Sequence, residues 1–248
     1  MQVSDTSAFY PCRCGCVTGD GLEMEQDIGK CVIIGAGEFQ REQLVPEEEL
    51  RPDKRDFCIA ADGGLAHVRK LGIVPDLLIG DMDSIEADSL SRVRMDSSLH
   101  IRQLPTQKDD TDMLAAIKEG LERGYKRFAL YGALGGSLSH TLANIQCLDY
   151  LNSHGAKGVL LGNRLRIELL CNGQVCYPAS MYRENRRISV FAYGGDAYGV
   201  TETGLKYSLM DACVRTDFPI GVSNEFTGRE SMIAVREGKL LICVEDFT

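Results

Sequence analysis

Residues 77–84, with the sequence LLIGDMDS, are the most informative segment of the chain. Its apolar run ends at Gly80 and predicts a buried strand, and Asp81 and Asp83 follow at once. Side chains alternate along a strand, so both carboxylates point the same way while the extended conformation lasts. Close carboxylates repel each other unless a cation lies between them, and hard oxygen ligands suit Mg²⁺ bound together with substrate phosphates. The alternative for this segment alone is a pair of solvated loop acids.

The same arrangement of an apolar strand that ends in glycine or aspartate recurs on both sides of this stretch. Strands are predicted at residues 30–34, 56–61, 77–80, 101–104, 127–131 and 158–162. Helices are predicted at 65–71, from the acidic residues near 109 to Gly124, and around Leu142, Ile145 and Leu148. Strands that alternate with helices indicate a parallel sheet covered on both faces. Ligands of such sheets bind outside the carboxyl ends of the strands, where the glycines and acids gather.

The pattern changes after about residue 165. Short strands are predicted at 166–171, 175–177, 187–192 and 199–203, and a hairpin at 231–235 and 240–244 around a turn at 237–239. These segments predict a small antiparallel β-sandwich. The fold class is therefore α/β, a Rossmann-like parallel sheet domain followed by a small antiparallel β-sandwich domain. We expect a disordered extension at 1–29, the α/β domain at 30–168 and the β-sandwich at 169–248.

Composition excludes several classes of partner. The 248 residues are 44% hydrophobic and 25% charged, as in ordinary globular proteins. The net charge of −9 argues against a nucleic-acid partner, which normally meets a basic face. No apolar run approaches the roughly 18 residues needed to span a membrane. The first 30 residues lack the apolar core of a secretory signal, which together with the cysteines below predicts a cytoplasmic protein.

The ten cysteines are of two kinds. Most lie in apolar periodic segments, where cysteine behaves as a small hydrophobe, and without a signal peptide we expect them to stay reduced. Cys12, Cys14 and Cys16 instead alternate within six residues, 11–16. They form either a metal or redox clip or a dispensable extension, and the C-x-C-x-C spacing lacks the second ligand pair of a zinc site.

Two glycine-rich turns are candidates for phosphate binding. Gly35 and Gly37 follow the first strand, but the third glycine of a G-x-G-x-x-G motif is replaced by Gln40. Residues 132–140 form a second glycine-rich loop before a helix, where phosphate oxygens would meet free backbone N–H groups. His140 in that loop is either a ligand contact or an ordinary residue of the first helical turn.

Two acidic segments add chemistry to these turns. Asp62-Gly63-Gly64 ends a strand, and its alternative is an ordinary strand-to-helix turn. Residues 108–112, with the sequence KDDTD, begin a helix, and their alternative is helix capping. Capping leaves Lys108 unexplained, since a cation at the positive end of a helix dipole is unfavourable unless an anion is near. A phosphate would account for Lys108, and a metal would account for the surplus aspartates.

Taken in order, these segments resemble the thiamine pyrophosphokinase family over roughly residues 30–246. The matching stretches are residues 61–64, 80–84, 108–112, 132–136, Asn144 in the following helix, and 221–226 with the sequence GVSNEF. The resemblance implies transfer of a diphosphoryl group from ATP, the co-substrate, to the hydroxyl of thiamine, with AMP released and Mg²⁺ as cofactor. It also implies a homodimer in which thiamine lies between the α/β domain of one subunit and the β-domain of the other.

The residue roles that follow from the motifs and the resemblance fall into three sets. The catalytic set is Asp81, Asp83, Lys108 and Asp112, of which Asp81, Asp83 and Asp112 would hold Mg²⁺. The substrate-binding set is Asp62, Gly63, Thr111, Asn144, Ser223 and Asn224, with Ser223 and Asn224 assigned to thiamine by the resemblance alone. The nucleotide-binding set is Gly35, Gly37, Gly135, Gly136 and His140.

The chain departs from the family in its second glycine-rich loop. The family pattern G-G-R-x-D places an arginine and an aspartate where this chain has Ser137 and Ser139. A lost charge-assisted contact is worth about 1.5–3 kcal/mol. Either Arg164 or Arg166 replaces the missing cation, or the enzyme is slower. Two alternatives stay open: a pyrophosphokinase for another alcohol such as a hydroxymethyl pterin, and a non-catalytic protein that binds nucleotide or thiamine.

Overall fold

The structure is a computed structural model that describes residues 28–39, 53–82, 99–105 and 109–247. Asp83, Lys108, Gln40 and the three clustered cysteines near the beginning of the sequence lie outside the described residues, as does most of the predicted extension. The chain divides into two compact units, one formed by Ile28–Asn163 and the other containing Arg164–Thr248. The predicted boundary after residue 168 falls inside a strand of the second unit. None of the helices in the described ranges has the length and apolar character needed to cross a membrane.

The first unit is a parallel sheet with helices. Its strands are β1 (Cys31–Ile34), β2 (Phe57–Ala61), β3 (Leu77–Gly80), β4 (His100–Gln103), β5 (Arg127–Tyr131) and β6 (Lys157–Gly162). They run parallel in the order β6-β5-β1-β2-β3-β4. The helices are α1 (Gly64–Lys70), α2 (Asp112–Glu122) and α3 (Leu138–Ser153). Strands β1 and β3 are buried throughout, which explains why they appear in the sequence as unbroken apolar runs.

Helix α3 forms where it was predicted, but it does not bury all of the apolar residues that marked it in the sequence. Leu142 is 54% exposed, whereas Leu148 is 2% exposed. The buried side chains are Asn144, Cys147, Leu148 and Leu151. Apolar residues are spread around this helix, so their spacing does not single out one face, and a polar residue occupies part of the buried side.

The second unit is antiparallel. Its strands are β7 (Leu165–Tyr177), β8 (Arg186–Ala192), β9 (Ala197–Thr203), β10 (Leu209–Val214), β11 (Asn224–Glu225) and β12 (Ser231–Asp246). Strand β12 is central, since it pairs with β7, β8 and β9. One hydrophobic cluster gathers side chains from these strands, among them Tyr177, Ile188, Val200, Ile233 and Ile242. The predicted fold class, a parallel α/β domain followed by an antiparallel β-domain, is confirmed.

The predicted hairpin at 231–244 is wrong. Residues 231–246 form one strand whose register against β7 shifts between Val235 and Lys239. The supposed turn is a bulge, in which Gly238 has a φ of 108° and its N–H donates to Asn172 Oδ1 at 2.9 Å. A bulge inserts extra residues and bends the strand without ending it. The opposite strand, β7, is likewise continuous through the predicted gap at 172–174.

Candidate active site

A cleft of about 350 Å³ opens in the first unit beside the ends of β1, β2 and β5. Many of the residues chosen from the sequence line this cleft. They are Gly35, Gly37, Asp62, Thr111, Asp112, Gly135, Gly136, His140 and Asn144. These residues come from separate segments of the chain, and the parallel sheet brings them together because its carboxyl ends share one edge. Gly63 and Asp81 are described but do not line the cleft.

One wall of the cleft is bare backbone. The loop after β1 lies directly on the loop after β5, with Gly35 N–H donating to Tyr131 O at 2.8 Å and Gly37 N–H to Gly132 O at 2.7 Å. A Cβ atom on Gly37 would lie 2.6 Å from Gly132 O, so no larger residue fits. Glycines at this contact leave the wall open to the close approach of a ligand.

The loop Gly135–Ser139 leads from this wall into helix α3. Gly135 and Gly136 have φ values of 80° and 67°, a left-handed conformation that glycine adopts without strain. Ser137 is the N-cap residue of α3 but makes no side-chain capping bond, and its Oγ lies 2.8 Å from Ser139 Oγ. The positive end of this long helix therefore faces two neutral hydroxyls.

Sequence reasoning missed Glu38 at this loop. Its N–H donates to Leu134 O at 2.9 Å, and its Oε1 accepts a long bond from Gly136 N–H at 3.4 Å. The side chain covers Gly135, where a Cβ would lie 2.5 Å from the Glu38 carboxyl carbon. A lone acid after a glycine-rich turn carries no signal of this contact in the sequence.

Strained backbone marks the ends of β2 and β3. Asp62 has a φ of 47° and Met82 a φ of 67°, both in the left-handed region that residues with a side chain rarely adopt. Asp62 N–H donates to Ile79 O at 2.8 Å, and a Cβ on Gly80 would come within 3.0 Å of Asp62 Cα. Strain of this kind collects at functional sites, where the surrounding fold holds it in place.

The acidic start of α2 combines capping with a contribution to the cleft. Thr111 is the N-cap residue, and its Oγ1 accepts from Leu114 N–H at 3.2 Å. Asp110 forms an ion pair with Lys118 at 2.6 Å, a contact that raises the pKa of the lysine. Asp112 lines the cleft. Of the aspartates in this segment, Asp110 therefore belongs to a structural ion pair and Asp112 to the cleft.

Asn144 ties helix α3 to the loop after β5. Its Nδ2 donates to Ala133 O at 2.6 Å, and the side chain is buried. The bond holds the glycine-rich loop against the helix that follows it, which keeps the wall of the cleft in place.

The donors in the cleft fit Mg²⁺ better than zinc. Within the described residues, no group of three His, Cys, Asp or Glu side chains comes close enough to hold a metal by itself. Asp62 and Asp112 supply two hard oxygen donors. Mg²⁺ is commonly bound through one or two carboxylates together with substrate phosphates, which matches this limited set.

The second unit holds Ser223 and Asn224. Ser223 is exposed, has a φ of 60°, and its N–H donates to Ser189 Oγ at 3.0 Å. The Asn224 amide is used within the unit: Nδ2 donates to Glu202 Oε2 at 3.0 Å and to Tyr207 O at 2.6 Å. Its Oδ1 accepts from the N–H groups of Tyr207 and Glu225. Asn224 therefore shapes the loop that presents Ser223.

The fold and the cleft together define a Rossmann-like α/β protein with a glycine-lined, acidic site and a following antiparallel β-domain. Comparisons with known families give the family. Residues 50–160 match the family described as thiamin pyrophosphokinase, catalytic domain, and residues 177–240 match thiamin pyrophosphokinase, vitamin B1 binding domain. The chain belongs to the thiamin pyrophosphokinase family.

Relatives with the same description extend over most of the chain. A Bacillus subtilis thiamine pyrophosphokinase is 28% identical over 205 residues, which cover 80% of this chain and 92% of the relative. The crystal structure of thiamine pyrophosphokinase from Bacillus subtilis, 27% identical, matches 88% of this chain and 100% of its own with a TM-score of 0.77. Thiamin pyrophosphokinase from Candida albicans shares the fold, with a TM-score of 0.70 at 17% identity over 88% of this chain and 89% of its own.

Proposed function

We propose that this protein transfers a diphosphoryl group from ATP to the hydroxyl of thiamine, giving thiamine diphosphate and AMP in a Mg²⁺-dependent reaction. The observation that carries the proposal is the cleft, in which bare glycine backbone lies beside Asp62 and Asp112 in a chain of this family. Backbone N–H groups suit phosphate oxygens, and carboxylates suit the cation that accompanies them.

The proposal assigns a role to each of the following residues. The glycine loops at 35–37 and 135–136 bind the nucleotide phosphates, with His140 at the mouth of the cleft. Asp81, Asp83 and Asp112 hold the cation, and Asp62, which the sequence assigned to the substrate, adds an oxygen donor in the cleft. Mg²⁺, when bound, neutralises charge on the transferred group and on the departing AMP oxygen. One of these aspartates takes the proton of the thiamine hydroxyl, and Lys108 steadies a phosphate oxygen.

The substrate residues are assigned in the same way. Thr111 keeps its hydroxyl hydrogen for a ligand, since its oxygen accepts the capping bond. Ser223 offers an exposed hydroxyl to thiamine. Gly63 lets the backbone beside Asp62 come close to the substrate. A homodimer with shared active sites and a cytoplasmic location complete the proposal.

A second candidate function follows from the loop at the start of α3. Ser137 and Ser139 place two neutral hydroxyls where the family pattern has an arginine and an aspartate. Weakened phosphate contacts would suit a protein that binds nucleotide or thiamine without turnover, or one that uses another alcohol such as a hydroxymethyl pterin. These alternatives differ from the main proposal in their products.

The test is incubation with ATP, Mg²⁺ and thiamine, followed by chromatography for AMP and thiamine diphosphate. Both products should appear in equal amounts. Asp112→Asn should lower kcat by about a hundredfold or more, because a cation ligand is lost where charge develops. Asp110→Asn is the matched control, since Asp110 lies in the same turn but pairs with Lys118, and it should keep its activity. AMP without thiamine diphosphate would point to another acceptor, and binding without AMP to the non-catalytic alternative.

A further inference from the structure

Glu202 is a buried acid that neither the motifs nor the proposed mechanism uses. It lies in β9 and is 2% exposed. Its Oε2 accepts from Asn224 Nδ2 at 3.0 Å, whereas its Oε1 is buried and meets no hydrogen-bond donor within the described residues. Burial raises the pKa of this carboxyl, although the bond from Asn224 lowers it in part. A carboxyl in this state costs stability.

The surroundings of Glu202 would accept an apolar side chain. Its partner across the ladder is the fully buried Ile233, and Val200 on the same face of β9 is also fully buried. Replacement of both partners of a buried polar pair by apolar groups of similar shape is often neutral or stabilising, whereas removal of one partner leaves the other unsatisfied. The apolar surroundings therefore give no reason for an acid here, and the contact with Asn224 is the feature that requires one.

That contact sets the orientation of the Asn224 amide. At its nitrogen end the amide meets two acceptors, Glu202 Oε2 and Tyr207 O. At its oxygen end it meets two donors, the N–H groups of Tyr207 and Glu225. A flipped amide would place oxygen against oxygen and N–H against N–H. With Glu202 absent, one of the two acceptors that exclude the flipped state is lost.

The amide in turn fixes the backbone on both sides of the loop. Tyr207 and Glu225 are held by Asn224, and Ser223 is held by Ser189 in a left-handed conformation that disfavours residues with a side chain. The exposed Ser223 hydroxyl thus depends on a buried scaffold one residue away. We propose that Glu202 is a positioning residue for substrate recognition, which acts through Asn224 to hold the loop that presents Ser223 to thiamine. The inference rests on the proposed function and names a residue that sets its substrate affinity.

Two substitutions at Glu202 test the inference. Glu202→Gln keeps an acceptor for Asn224, whereas Glu202→Leu keeps the volume and removes the acceptor. Steady-state assays should show a KM for thiamine about tenfold higher in the Leu variant and close to wild type in the Gln variant. The KM for ATP should be unchanged in both, because the nucleotide residues lie in the first unit.

Thermal unfolding of the same variants separates positioning from general damage. Glu202→Leu removes an unpartnered buried oxygen but also takes an acceptor from the Asn224 amide, so the two effects offset and its Tm should stay within about 4 °C of wild type. Glu202→Gln should keep both the Tm and the thiamine affinity of wild type. The Leu variant thus loses affinity without a matching loss of stability. A residue that only supports the fold would lose both together, and that result would overturn the inference. Asp196→Asn, which alters a turn held through Thr216, is the control and should leave both KM values unchanged.

A second pair of variants applies if Glu202→Leu fails to fold. Asn224→Asp places an oxygen against Glu202 Oε2 and should raise the KM for thiamine. Adding Glu202→Gln supplies a donor to that oxygen and should restore part of the affinity, and no restoration would contradict the inference. Wild-type turnover tests the proposed function alone. If wild type makes no thiamine diphosphate, the same variants are compared by calorimetry with thiamine, where Leu should weaken binding, Gln should not, and equal binding would overturn the inference.

Discussion

The proposed phosphate site has two serines, Ser137 and Ser139, at the start of α3. Ser137 and Ser139 bond to each other, and the positive end of α3 lies behind them. Neither hydroxyl carries charge, so the loop relies on backbone N–H groups and the helix dipole. A carboxylate at position 139, where the family pattern has an aspartate, would add a hard oxygen donor near a cleft that contains Asp62 and Asp112.

Ser139→Asp is therefore expected to raise kcat/KM by about tenfold in the coupled assay for AMP and thiamine diphosphate. An acid in the first turn also stabilises a helix by about 0.3–1 kcal/mol, which must be separated from any effect on the reaction. Leu138→Asp adds the same charge to the same turn at the neighbouring exposed position, where the family pattern has no fixed residue. Equal activity of Ser139→Asp and wild type, or an equal gain in Leu138→Asp, would refute a role for charge at position 139.

At the scale of elements, the bulge in β12 is the feature that lets this long strand bend. Gly238 has a φ of 108°, and a Cβ there would lie 3.0 Å from Ala197 Cα and from Asp196 O. Gly238→Ala should lower the free energy of unfolding in urea by about 1–3 kcal/mol, since the left-handed conformation and the close contact both oppose a side chain.

The matched control is Gly173→Ala on the opposite strand. Gly173 pairs with Val235 beside the bulge, has no positive φ, and its nearest contact to a built Cβ is 3.5 Å away. This variant should change the free energy of unfolding by less than about 1 kcal/mol, because alanine fits a strand better than glycine. Equal losses of unfolding free energy in the two variants would show that the bulge does not require glycine.

Elements also show what the sequence could predict. Strands β3 and β5 were predicted with their observed bounds, because burial on both faces leaves an apolar run that glycine or a turn must end. The β-domain was harder: β10 was missed because most of its residues are partly or fully exposed, and the pattern of a strand interrupted at 237–239 is the same for a turn and a bulge. Only the register against β7 distinguishes the two.

In the candidate site, too, some features follow from the topology of the sheet and others depend on the positions of loops. Most of the described residues chosen near the strand ends line one cleft, because the topology brings the strand ends together, but Asp81 after β3 does not line it. The contacts of Glu38 and Glu202 could not be predicted in this way, since each depends on where a distant loop lies. The sequence does contain one sign of Glu202. It lies two residues after Val200 and therefore on the same buried face of β9, so it is an acid at an inward position.

Across the whole molecule, the reactivity of each cysteine thiol depends on how far the fold shields it from solvent. Burial raises the pKa of Cys58 to about 12 and that of Cys147 to about 11. Burial likewise raises the pKa of Cys243 to about 12, whereas Cys213 is exposed. Because the thiolate is the reactive form, a raised pKa and burial both slow alkylation.

Iodoacetamide at pH 8 should therefore modify Cys213 long before Cys58, Cys147 or Cys243, as read by peptide mass spectrometry. Cys58 and Cys147 should react only after denaturation in guanidinium, which serves as the control for intrinsic reactivity, and the partly exposed Cys243 should react slowly. Rapid native labelling of Cys58 would contradict the described burial of β2.

The central position of β12 has a consequence for how the protein is made. Strands β7, β8 and β9 all pair with a segment that begins at Ser231 and ends at Asp246, far along the chain from each of them. A ribosome completes Ile28–Asn163 well before that segment, so the parallel unit can fold during synthesis. Strands β7, β8 and β9 are synthesised before β12, so their inner faces stay uncovered until residues 231–246 are made. Long-range pairing of this kind is slow. Nascent chains stalled before residue 231 should therefore need chaperones for the β-domain, whereas the parallel unit should already be protected.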